Sequence, residues 1–131
     1  MDGNHIDAGR RGESLALDYL LRQGYRLRHR NFRFRTGELD LVVEAPDGDL
    51  VFVEVKAARQ DMAGEPAGWV TPAKQRQIQK VARDYCALHG EMDRAMRFDV
   101  IGVELNPAFP EKSGIRHIPH AFLPDAGGYF R

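Results

Sequence analysis

The sequence contains a single cysteine, Cys86, so it cannot form a disulfide bond within the chain. One cysteine also leaves no thiolate cluster that could hold zinc. No apolar run approaches the roughly 20 residues that span a bilayer, and the first residues lack the apolar stretch of a signal peptide. These absences predict a packing role for Cys86, a cytoplasmic location and no membrane partner.

Net charge is absent as well, because 19 basic residues balance 19 acidic ones. The charges are unevenly distributed, however: arginines outnumber acids over residues 1–35, and an acidic stretch follows from Glu38. This contrast suggests phosphate contacts beside a metal site. The alternative is that these arginines are solvated and paired with nearby acids. The nucleic-acid-binding candidates in this part of the chain are Arg10, Arg11, Arg33 and Arg35.

A length of 131 residues predicts one α/β domain over 1–131, with a short C-terminal tail over 119–131. Hydrophobic periodicity, caps and turn residues predict the order α-β-β-β-α-β-β and a mixed sheet of about five strands flanked by helices. The expected helices are 7–23, capped by Asp7, and 72–89, capped by Thr71 and ended by Gly90; the expected strands are 25–35, 38–45, 50–56, 97–105 and 115–118.

The second and third strands form a hairpin whose loop length determines which side chains meet. If residues 46–48 form a three-residue loop, Asp40 lies opposite Glu54 and Glu38 lies opposite Lys56. All four side chains then share one face, because side-chain direction in a strand has a period of two. A two-residue loop would scatter them, so the functional interpretation requires an odd loop length.

The run LVFVEVK is apolar on both faces except at Glu54 and Lys56. Burying unpaired charges is costly, so these two groups require a partner. Asp40 and Glu54 offer the hard oxygen ligands that suit Mg²⁺ or Mn²⁺, and Lys56 would orient or deprotonate an attacking water. The alternative is an ordinary Glu-Lys pair at a strand end, with Asp40 in a turn.

Glu13 lies on the apolar face of the first helix, where it is a candidate third metal ligand or water-positioning base. It is equally explained as a first-turn acid that favours the helix dipole. Lys74 lies on the apolar stripe of the second helix, from which it can reach a scissile phosphate or snorkel to solvent. The opposite face of that helix carries Arg76, Lys80 and Arg83.

Residues 9 to about 105 resemble the YraN family of endonuclease-like proteins, relatives of archaeal Holliday junction resolvases in the PD-(D/E)xK nuclease superfamily. The resemblance rests on three segments: GRRGESLALDYLLRQGYRLRHRNFRFRTGELDLVVEAPDGDLVFVEVK, TPAKQRQIQKVARDY and RFDVIGVEL. It implies a restriction-endonuclease-like core, metal-dependent cleavage of DNA that includes branched or junction DNA, and a homodimer.

The family motifs map onto individual positions of this chain. The resemblance assigns catalytic positions to Glu13, Asp40, Glu54 and Lys56, with Glu38 in the same element as Asp40. Lys74 and Gln75 fall where the family has a helix start, and both are nucleic-acid-binding candidates. Arg97 and Asp99 fall in the RFDV element of the family. The chain departs from the pattern at Leu39, where the superfamily name has proline, and at Ala58, where relatives often have arginine; Arg59 is the candidate replacement.

Two other function classes remain open from the sequence. One is a catalytically silent nucleic-acid-binding module of the same fold. The other is a protein-interaction module, for which Trp69 and its loop would form a contact surface, although Trp69 is as readily a core anchor. The pair His117 and His120 has ligand-like spacing, but no cysteine or second pair completes a zinc site.

Overall fold

The computed structural model describes residues 2–59, 66–106 and 114–123. Its elements follow the predicted order α-β-β-β-α-β-β, with a short 3₁₀ turn at Pro66–Trp69 before the second helix. They are α1 (Asp2–Arg22), β1 (Arg26–Phe34), β2 (Gly37–Glu44), β3 (Leu50–Arg59), α2 (Pro72–His89), β4 (Met96–Leu105) and β5 (Gly114–Phe122). The predicted mixed α/β fold is confirmed.

The five strands form one open sheet in the order β1-β2-β3-β4-β5. Only β3 and β4 are parallel, and the other neighbours are antiparallel. One buried apolar cluster lies between the sheet and α1, and a second lies between the sheet and α2. Strand β3 contributes to both, which explains its apolar run. Within the described ranges, no helix is long and apolar enough to cross a membrane.

The ends of α2 match the sequence signals, whereas the start of α1 does not. The Thr71 side chain accepts a hydrogen bond from the Lys74 amide at the start of α2, and Gly90 ends the helix with a left-handed φ of 67°. Helix α1 begins at Asp2, so the predicted cap at Asp7 is wrong. An acid at either position is compatible with the first turns, because the helix dipole favours negative charge there.

Strand β5 continues past its expected end at Ile118 and reaches Phe122. Pro119 does not stop it, since an edge strand tolerates a missing N–H donor. His120 adopts a φ of 50°, and its N–H donates to the buried Asp99 carboxylate at 3.1 Å. Residues 119–122, expected to open the C-terminal tail, therefore belong to the sheet. The rest of that tail from residue 124, and residues 60–65 of the long loop, lie outside the described residues.

The hairpin between β2 and β3 has the register that a three-residue loop requires. Leu41 pairs with Val53 and Glu44 pairs with Leu50. The loop is closed by a hydrogen bond of 2.9 Å from the Gly48 N–H to the Ala45 carbonyl, and Gly48 has a φ of 95°. Glycine adopts this left-handed conformation without steric cost. The predicted loop length is confirmed.

Candidate functional site

The sheet opens at the end of the hairpin that carries Asp40 and Glu54, because β2 and β3 separate beyond the pair Leu41–Val53. From there β2 remains paired with β1, and β3 continues on β4. The Asp40 carboxylate enters the gap, where its Oδ2 accepts the Val55 N–H at 2.8 Å. A side chain thus replaces a ladder hydrogen bond, which places a carboxylate between two diverging strands.

Asp40 and Glu54 meet at this opening, as predicted. Only 6 % of the Glu54 side chain is exposed. Burial, the Glu54 charge and a hydrogen bond with the Glu54 carboxyl raise the pKa of Asp40 to about 8; the Val55 N–H opposes this shift, and the Glu13 charge adds to it. The surroundings of Asp40 therefore favour the protonated form of its carboxyl at neutral pH.

Two lysines approach the Glu54 carboxylate from different elements. The Lys56 Nζ lies 3.4 Å from Glu54 Oε2, and the Lys74 Nζ lies 4.0 Å from the same oxygen. About a third of each lysine side chain is exposed, at 34 % and 36 %. The prediction that Lys74 reaches the sheet end from α2 is confirmed. Both ammonium groups can contact a bound anion without leaving the carboxylate.

Glu13 approaches from α1, because Gly12 allows the helix to lie directly on β3. A Cβ added at Gly12 would lie 2.4 Å from the Ala57 Cβ, so only glycine permits this separation. Burial raises the pKa of Glu13, although the charge of Arg30 opposes the effect. Glu13 also contributes to the raised pKa of Asp40, which places its charge at the edge of the pair. The structure brings Glu13, Asp40, Glu54 and Lys56 into one region.

Asn31 holds Glu13 in place and was missed in the sequence. With its amide nitrogen facing Glu13, it donates to both carboxylate oxygens, at 2.9 and 3.2 Å. It has a φ of 55° in the middle of β1, which asparagine tolerates better than most residues. Arg30 adds an ion pair of 3.7 Å to Glu13. An asparagine within a strand-like run was the only sequence signal for this irregularity.

Glu38 lies at the edge of the site, where its charge adds to the raised pKa of Glu13. Its carboxylate pairs with Arg33 at 2.9 Å, and this ion pair lies between neighbouring residues of β1 and β2. The prediction that Glu38 lies opposite Lys56 is wrong, because the hairpin strands have already separated at that point. Arg33 is correspondingly engaged with an acid, as the alternative interpretation of the arginines expected.

The remaining predicted nucleic-acid-binding residues differ in their availability. Arg10, Arg11 and Arg35 are exposed. The Gln75 side-chain amide instead donates to the Val70 carbonyl at 2.9 Å, so it fastens the start of α2 to the preceding segment. The backbone of Arg59 belongs to β3, while its side chain lies outside the described residues.

Trp69 anchors its loop on the sheet beside the site. A Cβ added at Gly102 would lie 2.2 Å from the Trp69 ring, so the indole packs directly against the backbone there. Gly102 is the register partner of Lys56 on the neighbouring strand. The Arg116 guanidinium lies 5.7 Å from the indole centroid on the other side. Of the two interpretations left open for Trp69, this geometry favours the core anchor.

A second polar cluster surrounds the fully buried side chain of Asp99. Its carboxylate accepts hydrogen bonds from Arg97 at 3.0 and 3.2 Å and lies 2.7 Å from the His117 Nε2. The other His117 ring nitrogen lies 3.0 Å from the Tyr19 hydroxyl. Burial is the largest single influence on the pKa of Asp99 and raises it, but the hydrogen bonds and charges of His117 and Arg97 together hold this pKa below its usual value. All polar groups have partners, so this cluster is a structural connection between β4, β5 and α1.

The carboxylate pair suits a cation that retains most of its own water. In the part of the chain that the structure describes, no three His, Cys, Asp or Glu side chains already converge as a metal-ligand set. Mg²⁺ does not require one, because it commonly binds through one or two carboxylates together with waters and substrate phosphates. Asp40 and Glu54 fit that requirement, and the charge of Glu13 acts on Asp40 from the edge of the pair.

Comparison with known proteins identifies the family. The model of "Uncharacterised protein family UPF0102" matches residues 12–103. The chain is 45% identical over 117 residues to a UPF0102 protein of Pelobacter propionicus, covering 88% of this chain and 82% of the relative. It is 47% identical over 124 residues to one of Geobacter sulfurreducens, covering 92% and 94%. The chain therefore belongs to the uncharacterised protein family UPF0102.

Proposed function

We propose that this protein is a metal-dependent endonuclease that hydrolyses phosphodiester bonds in DNA, including branched or junction DNA. The observation that carries the proposal is the buried Asp40–Glu54 pair with the Lys56 ammonium 3.4 Å from it. Two carboxylates and a lysine at a gap in the sheet form a costly arrangement that a divalent cation and a phosphate would neutralise. The resemblance to PD-(D/E)xK nucleases, which have these residue types at these motif positions, supports the same chemistry.

In this proposal Asp40 and Glu54 hold Mg²⁺ or Mn²⁺, with Glu13 at the edge of the site. When bound there, a divalent ion would supply Lewis-acid chemistry toward a phosphoryl oxygen and the attacking water. Lys56 orients that water, whose oxygen bonds to phosphorus as the bond to the leaving oxygen breaks. Lys74 neutralises charge on the phosphate, since its Nζ reaches the same carboxylate from α2. A homodimer would present two such sites to two strands of a junction.

The test is cleavage of labelled single-stranded, duplex, flapped and four-way-junction DNA with Mg²⁺, with Mn²⁺ and with a chelator. We expect cutting that requires the metal and is abolished by Asp40→Asn and by Lys56→Ala. Asp18→Asn, on the exposed surface of α1, is the matched control and should cut like the parent. If folded protein binds these DNAs but cuts none of them, the proposal is wrong and a silent binding module replaces it.

A further inference from the structure

A groove runs along α2 next to the carboxylate site and is lined with basic residues. It has a volume of about 550 Å³ and lies between α2 and the turn that joins β1 to β2. Its lining residues are Thr36, Ala73, Lys74, Arg76, Gln77 and Lys80. Three of these six are cations and none is an acid. Lys74 belongs both to this α2 groove and to the site, because its Nζ lies 4.0 Å from Glu54.

The walls of the α2 groove are fixed by contacts between the turn and the helix. The Gln77 side-chain amide donates to the Thr36 carbonyl at 3.3 Å, and the Thr36 hydroxyl donates to Asp84 at 2.6 Å. A Cβ added at Gly37 would lie 2.9 Å from the Gln77 amide nitrogen, so a larger residue would displace this contact. These contacts within the chain hold the groove in shape, and a preformed groove loses less entropy on binding.

The basic residues of the α2 groove repel one another. Arg76 and Lys80 are four residues apart on one helix, a spacing at which like charges destabilise the helix. Neither forms an ion pair within residues 2–59, 66–106 and 114–123. Asp84, which accepts the Thr36 hydroxyl, follows Lys80 by four residues and offsets part of this repulsion. A polyanion lying along the helix would relieve this repulsion, whereas a single small anion would contact only part of it.

We propose that the α2 groove binds the phosphodiester backbone of the nucleic-acid strand beside the bond to be cut, with Arg76 and Lys80 contacting two successive phosphates. This inference rests on the proposed function for its substrate class and adds the path of the strand. The strand leaves the carboxylate site past Lys74 and follows α2 toward Lys80. Contacts of this kind fix the register of the strand without reading its sequence.

The experiment measures binding of labelled single-stranded and duplex DNA across a series of salt concentrations, with chelator present so that no cutting occurs. Each phosphate contact contributes about 0.7 to the slope of log K against log salt for single strands, and about 0.9 for duplex. Arg76→Ala/Lys80→Ala should therefore lower the slope by about 1.4 on single strands or about 1.8 on duplex. The DNA form that shows the full loss is the form that occupies the groove.

The matched control removes two arginines from the exposed surface at the other end of the sheet, Arg22→Ala/Arg26→Ala. We expect its slope to equal that of the parent. Circular dichroism and thermal unfolding establish that each variant folds; Arg76→Gln/Lys80→Gln replaces the alanine pair if that pair unfolds. An unchanged slope for the groove variant, or an equal loss in the control, would overturn the inference. A groove-dependent slope without metal-dependent cutting would retain the groove and refute only the nuclease.

Discussion

Asp40→Asn should stabilise the metal-free protein, although it removes a group at the centre of the site. The folded protein raises the pKa of Asp40 from 3.8 to about 8. The folded state therefore binds a proton that the unfolded state has lost between these values, so stability falls as pH rises through this window. Asparagine carries no charge and retains an oxygen to accept the Val55 N–H.

The size of the effect follows from that shift. A pKa unit corresponds to about 1.36 kcal/mol, so the full shift sets an upper limit near 6 kcal/mol. Solvent relaxation at the sheet opening reduces the gain from Asp40→Asn well below this limit, to about 1–3 kcal/mol at pH 8. For a chain of this size, that gain raises the Tm by about 3–10 °C.

Thermal unfolding of both proteins in the presence of chelator, between pH 5 and pH 8, tests this prediction. The difference in Tm between Asp40→Asn and the parent should increase with pH, because other titrating groups contribute equally to both proteins. Asp18→Asn, which is exposed, should show no such trend. Adding Mg²⁺ should stabilise the parent more than Asp40→Asn. A variant that is less stable than the parent at pH 8, or a constant difference across the range, would refute the assignment of a buried, uncompensated pair.

Three further substitutions test other contacts. Asn31→Gly keeps the left-handed backbone but removes the donor to Glu13, so we expect cleavage to fall about tenfold, the cost of one charge-assisted hydrogen bond, with stability almost unchanged. Gly102→Ala places a Cβ in the space of the Trp69 ring and should cost about 1–3 kcal/mol in urea unfolding, with a change in the emission of the single tryptophan. Asp99→Asn leaves Arg97 without its carboxylate and should cost about 3–5 kcal/mol.

Each of these three predictions has a result that would contradict it. A cleavage defect in Asn31→Gly that Asn31→Ala does not share would indicate a backbone effect. Gly114→Ala, where an added Cβ meets nothing within 4 Å, is the control for Gly102→Ala, and equal losses in the two would contradict the contact with Trp69. The pKa of Asp99 is lowered, so its contribution to stability is present above pH 3.8 and is lost as pH falls below it. If Asp99→Asn is as stable as the parent at pH 7, the Asp99 carboxylate does not contribute to stability.

Local sequence signals were sufficient to predict the features that depend on neighbouring residues. Thr71 and Gly90 mark the ends of α2 because caps satisfy backbone groups within a few positions along the chain. The loop at 46–48 sets the hairpin register for the same local reason, and that register brings Asp40 to Glu54. The apolar run of β3 indicated a strand covered on both faces, since each buried face must be apolar.

Contacts between distant segments are visible only in the tertiary structure. The gap that leaves Glu38 without a pairing partner in β3 arises because β2 follows β1 while β3 follows β4, which no local pattern encodes. The length of β5 depends on the hydrogen bond from His120 to Asp99, 21 residues earlier in the chain. The α2 groove exists because Gly37 allows its turn to approach the helix. Such contacts join residues far apart in sequence, so their partners are fixed only when the sheet and both helices pack together.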